Sequence, residues 1–130
     1  MIIDSSAIVA IATGEPVAER LLRAMHAAPH RRVSHATLLE CCIVLVGRYG
    51  EAADRDLDTL TRQLRMEAVA VDAEQGRLSR EAAVRYGRSR HRAALNYGDC
   101  FAYALAIYTN DELLFTGADF VHTDVRAATY

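Results

Sequence analysis

Four carboxylates in this sequence stand beside apolar runs and not among other charges. Asp4 closes "MIID", Glu40 lies inside "HATLLECCIVLVGRYG", Asp99 opens "DCFAYALA" and Asp119 follows "LLFTGA". Each has an ordinary explanation. Asp4 and Asp99 can cap the helices that follow them. Asp119 can serve a turn. Glu40 can pair with an arginine, or face water along a stripe with Ala36 and Gly47, but left unpaired inside that run its burial would be costly. One chemistry covers all four residues. Crowded carboxylates repel and tend to take up protons, and a divalent cation reverses that tendency by favouring the ionised forms. Oxygen-only donors suit Mg²⁺ or Mn²⁺ and suit zinc poorly. An ion held this way polarises a phosphoryl oxygen and lowers the pKa of an attacking water.

The elements around these acids alternate between two periods. Short apolar runs at "MIID", "RRVS", "AVAVD" and "ELLFTG" read as strands. Between them, "SSAIVAIATGEP" predicts a short helix stopped by Gly14 and Pro16. "PVAERLLRAMHAA" places Val17, Leu21, Leu22 and Met25 at helical spacing. Ser34 is placed to cap "HATLLECCIVLVGRYG", a helix so apolar that little of it should face water. "EAADRDLDTLTRQLRME" is amphipathic through Leu57, Leu60 and Leu64, and both "AEQGRLSREAAVRYGRSRH" and "NYGDCFAYALAIYT" read as helices. Strands alternating with helices predict an α/β fold, a three-layer sandwich with a mostly parallel central sheet flanked by helices. In such sheets a site lies outside the carboxyl ends of the strands, where Asp4 and Asp119 both arrive.

With 130 residues and neither a repeat nor a linker, the chain is expected to form one domain over residues 1–130. No apolar run is long enough to span a bilayer, and "MIIDSSAIVAIATGE" lacks the basic start of a secretory signal. Cys41, Cys42 and Cys100 have no zinc spacing; an odd count suits reduced core thiols and a cytoplasmic location. The net charge of −2 argues against a nonspecific polyanion binder, but the charge is segregated. Residues 51–74 carry seven acids against three arginines, whereas residues 77–92 carry six arginines against one acid. On a helical wheel Arg77, Arg80, Arg85, Arg88 and Arg92 fall within about 140° of arc, unless Gly87 interrupts it. That is either a solvated face or a row of phosphate contacts.

The motifs "MIIDSSAIVAI", Glu40 in its apolar helix, "LNYGDCFAYALA" and "LLFTGADF" followed by "HTDV" closely resemble those of PIN-domain ribonucleases. More narrowly they resemble VapC toxins of type II toxin–antitoxin pairs, in order and spacing over essentially the whole chain. The resemblance implies a PIN-like fold and an endoribonuclease that uses Mg²⁺, or Mn²⁺, held by Asp4, Glu40, Asp99 and Asp119. Ser6, and with it Thr116, would support those ligands from behind. Arg77, Arg85, Arg88 and Arg92 would hold RNA, with tRNA or rRNA as the expected substrate. It also implies a homodimer and a cognate VapB-type antitoxin lying in a hydrophobic groove. Two other readings stand beside it. One is a non-catalytic arginine-rich RNA-binding module. The other is a phosphatase with Asp4 as nucleophile, which Ser6 disfavours because such enzymes usually carry a second acid at that position.

Overall fold

The structure, a computed structural model, describes residues 1–130. Strands β1 (Ile2–Ile3), β2 (Arg32–Ser34), β3 (Glu67–Val69) and β4 (Leu113–Leu114) form one parallel sheet in the order β3-β2-β1-β4. Six helices connect and cover it: α1 (Ser5–Ala12), α2 (Ala18–Ala27), α3 (His35–Tyr49), α4 (Ala52–Gln63), α5 (Ala73–Tyr86) and α6 (Tyr97–Thr109). A short 3-10 helix follows at Asp119–His122. Adjacent strand residues face opposite ways, and the cores divide accordingly. Ile3 and Leu114 join Leu21, Met25, Cys41, Leu45 and Leu57 beneath α1 to α4. Ile2 and Leu113 join Ala82, Tyr86 and Leu105 beneath α5 and α6. Helices therefore cover both faces of the sheet, as the expected three-layer α/β sandwich requires.

The strands are shorter than their apolar runs suggest. β2 stops at Ser34 because that residue turns to cap α3, its hydroxyl accepting the Ala36 N–H at 3.2 Å. β3, in register with β2 from Glu67 to Val69, then has no partner for residues 70–72. The helix expected over residues 73–91 also ends early, at Tyr86. There Gly87 takes an extended conformation and the chain folds back, with Arg88 N–H donating to the Leu95 carbonyl at 3.1 Å and Leu95 N–H donating to that of Tyr86 at 2.9 Å. A Cβ at position 87 would overlap the Ala83 carbonyl, so glycine permits this exit. α3 departs from expectation differently: it buries only the stripe Thr37, Cys41 and Leu45, and leaves Leu39 60% and Ile43 65% exposed.

A polar latch ties the segment after β4 to the helices. The Tyr103 hydroxyl, on buried α6, donates to Asp124 Oδ1 at 2.8 Å. Arg85 donates to Asp124 Oδ2 at 3.1 Å and to the Tyr86 hydroxyl at 2.8 Å. Asp124→Ala strands the Tyr103 hydroxyl in the core and should cost about 1–3 kcal/mol. Arg85→Ala removes only half-exposed pairing, worth about 0–1 kcal/mol. Urea midpoints should rank the two variants in that order.

Candidate active site

The chain runs from β1 to β2 to β3 in one direction and then places β4 on the other side of β1. That reversal falls at the carboxyl ends of β1 and β4, the usual place for a site in a parallel sheet. Asp4 lies there, buried. The Asp4 N–H still donates to the Leu114 carbonyl at 2.9 Å, extending the sheet, while the side chain caps α1. Its Oδ2 accepts from the Ser6 N–H at 2.9 Å and the Ser6 hydroxyl at 2.6 Å. The Ser6 oxygen in turn accepts the Thr116 N–H at 3.0 Å, so Ser6 orients Asp4 and is itself fixed by the segment after β4. Thr116 contributes here through its backbone and not its hydroxyl.

Asp99 occupies the third position of α6 in a reciprocal capping box. Asn96 Oδ1 accepts the Asp99 N–H at 3.0 Å, and Asp99 Oδ2 accepts the Asn96 N–H at 2.7 Å. The capping explanation of Asp99 thus holds, yet it uses only one of the two carboxylate oxygens. Glu40 projects from α3 against the first turn of α6, with its carboxylate beside Gly98. Asp119 starts the 3-10 helix after β4 and is exposed.

The acids act on one another. Burial raises the pKa of Asp4; its bonds from Ser6 oppose that, and the Glu40 charge adds to it. Burial also raises Glu40, with the Ser5 hydroxyl opposing and the Asp99 charge reinforcing. Asp99 is pushed up to about 6, first by burial, against the Asn96 N–H; the Asp4 and Asp119 charges push further and Arg88 pulls back. Asp4 Oδ1 and Glu40 Oε2 are buried without any hydrogen-bond partner.

No three acidic, histidine or cysteine side chains stand close enough together to hold a metal ion among them. An open arrangement of oxygen donors is what Mg²⁺ takes, since it keeps several waters and uses one or two carboxylates. Two orphaned oxygens on neighbouring acids fit such an ion. The cysteines do not compete for it: Cys41 and Cys100 are buried, and burial raises both thiols.

The arginines do not form the expected wheel, because α5 ends before Arg88. Arg77 is engaged by Glu74 at 2.7 Å and Glu81 at 2.9 Å. Arg85 is held by Asp124. Arg88 and Arg92 lie exposed in the segment joining α5 to α6, free of ion pairs, and Arg88 is the cation that Asp99 senses. Sequence reasoning did not single out Arg90, which lines with Arg80, Arg88, Asn96 and Tyr97 a cavity of about 390 Å³. Clustering of Arg80, Arg88 and Arg90 in the basic segment was the available signal. A larger cavity of about 620 Å³ lies away from the acids, between α1, α3 and α4, lined by Ile11, Leu45, Tyr49, Leu57 and Leu60.

Comparison with known proteins shows the family and the fold. The model of the PIN domain matches residues 1–126. "Ribonuclease VapC" of Mycolicibacterium smegmatis is 50% identical, covering 98% of each chain. The chain belongs to the PIN-domain family of VapC ribonucleases. "Ribonuclease VapC30" of Mycobacterium tuberculosis is 46% identical over 96% of this chain and 95% of its own. Among solved structures, M. tuberculosis VapC20, described as a sarcin-ricin loop cleaving toxin, superimposes with a TM-score of 0.80 at 17% identity. The match covers 99% of this chain and 98% of VapC20. A toxin–antitoxin complex from Klebsiella pneumoniae shares the fold with a TM-score of 0.70 at 20% identity, covering 99% of this chain and 97% of that one. No helix of this VapC-family chain is long and apolar enough to cross a membrane.

The raised Asp99 value has a sign that can be tested. Because the folded pKa, about 6, lies above the ordinary aspartate value of 3.8, the metal-free fold binds the proton more tightly than the unfolded chain. Its contribution therefore favours folding as pH falls from about 7 to about 4, opposite to an acid held in an ion pair. Asp99→Asn removes the charge and keeps an acceptor for the Asn96 N–H. Urea unfolding in chelator should find it more stable than wild type at neutral pH, by at most about 3 kcal/mol, with the advantage gone near pH 4.

Proposed function

We propose that this chain is the ribonuclease toxin of a type II toxin–antitoxin pair, with residues 1–130 acting as a single domain. It hydrolyses phosphodiester bonds in an RNA of the translation machinery, tRNA or rRNA, and so halts translation and growth. Asp4, Glu40, Asp99 and Asp119 hold Mg²⁺, for which Mn²⁺ can substitute. The observation that carries this reading is the pair of buried, unpartnered oxygens on Asp4 and Glu40 in a crevice where each acid raises the next. A bound divalent ion supplies charge neutralisation at the scissile phosphate and activation of water. Ser6 holds Asp4 in place, the Asn96 cap holds Asp99, and Glu40 orients the attacking water and accepts its proton.

The RNA strand lies along the segment that joins α5 and α6. Arg88, Arg90, Arg92 and Arg80 offset the repulsion between the acids and a polyanion; Arg77 and Arg85 are committed to neighbouring acids. The same commitments disfavour a non-catalytic arginine module, which would need its helix face free. For the cognate VapB-type antitoxin, the apolar cavity between α1, α3 and α4 fits an inserted amphipathic helix. Leu39, Ile43 and Tyr97, the last 83% exposed, form a patch suited to a homodimer contact.

Folded Asp99→Asn should lose Mg²⁺-dependent RNA cleavage by at least about a hundredfold and lose toxicity on expression, and chelator should silence the wild type. Cleavage by the variant at the wild-type rate would refute the assignment. Binding of uncleaved RNA by Asp99→Asn separates the arginine roles: adding Arg88→Ala should lower the slope of log affinity against log salt by about 1, and adding Arg77→Ala should leave it unchanged.

A further inference from the structure

Gly98 is a glycine without a backbone reason. It lies in the first turn of α6, buried, with none of the positive φ that marks Gly14, Gly50 and Gly117. Glycine is a poor residue inside a helix, and alanine would suit this backbone better. What the position does not tolerate is volume. A Cβ there would overlap three atoms of one side chain, the Oε1, Cδ and Oε2 of Glu40, and these are its three nearest neighbours. The Glu40 carboxylate thus rests directly on the helix turn that carries Asp99, with Oε2 buried and unpartnered.

We infer that Gly98 is a positioning residue of the acidic site: its missing side chain is the space that lets the Glu40 carboxylate lie against the turn carrying Asp99. The inference rests on reading that site as a metal-dependent nuclease centre. The atoms that would be displaced are the far end of a flexible side chain and not backbone. Alanine at position 98 therefore pushes the Glu40 carboxylate aside and leaves α6 intact. Stability and metal binding then move in opposite directions, which a packing role for Gly98 would not produce.

The test uses the whole chain in four forms: wild type, Gly98→Ala, Glu40→Gln and the double variant. Thermal midpoints are measured in chelator, Mn²⁺ affinity by calorimetry, and RNA cleavage alongside. Gly98→Ala should keep or raise the midpoint while losing roughly ten- to a hundredfold in Mn²⁺ affinity, with a parallel loss of cleavage. In the Glu40→Gln background the same substitution should change Mn²⁺ affinity by less than about twofold, because its target is already gone. Wild-type Mn²⁺ affinity in Gly98→Ala, an equal loss in both backgrounds, or failure of Gly98→Ala to fold would each overturn the inference. Mn²⁺ binding by wild type that Asp99→Asn abolishes supports the underlying nuclease reading independently. Absence of Mn²⁺ binding by wild type would overturn both.

Discussion

The molecule is organised around a cost: several carboxylates are withdrawn from water and set near enough to raise one another's affinity for protons. Burial is the first cause at Asp4, Glu40 and Asp99, and mutual charge adds to it at each. Nothing in folding rewards that arrangement, so other interactions must impose it. Asp4 is held by the end of a strand and the start of a helix. Asp99 is held by a capping box, and Glu40 by a helix whose buried stripe faces the core. These elements have their own reasons to form, and the acids are carried to the crevice by them. Such strain at a functional site, offset elsewhere in the fold, is where agreement between local preference and global structure is expected to fail.

Capping does not exclude the metal binding proposed for these acids. At Asp4 and Asp99 one carboxylate oxygen satisfies the backbone and the other remains available, so a residue that starts a helix keeps an oxygen free for the proposed ion. This double use explains why the sequence admits both interpretations at these positions. It also ties the rigidity of these two acids to the helix termini, the regions that fray first in an isolated helix. The reciprocal bonds with Asn96 and the chain from Thr116 through Ser6 to Asp4 counter that tendency.

Much of this was legible from residue order. The alternation of apolar strands and amphipathic helices gave the layered α/β fold, and the acids at element boundaries gave the crevice. What stayed hidden depends on contacts remote in sequence. The arginine wheel failed because Gly87 lets the chain fold back onto Leu95, a pairing that helical periodicity cannot register. The exposure of Leu39 and Ile43 escaped notice because a uniformly apolar helix does not reveal which of its faces is covered. The role of Gly98 could not be read at all, since it is defined by a glutamate 58 positions earlier that meets it only in the folded chain.

The pairing of β1 with β4, sealed by the Thr116 N–H to Ser6 across 110 positions, has a consequence during synthesis. A nascent chain still threaded through the ribosome has already made Asp4, Glu40 and Asp99, but it lacks the strand against which the first of them is seated. Asp4 cannot be seated until residues 113–116 have been made and have reached β1. Seating of Asp4 is therefore a late event in the making of this chain, and a product cut off before β4 lacks it.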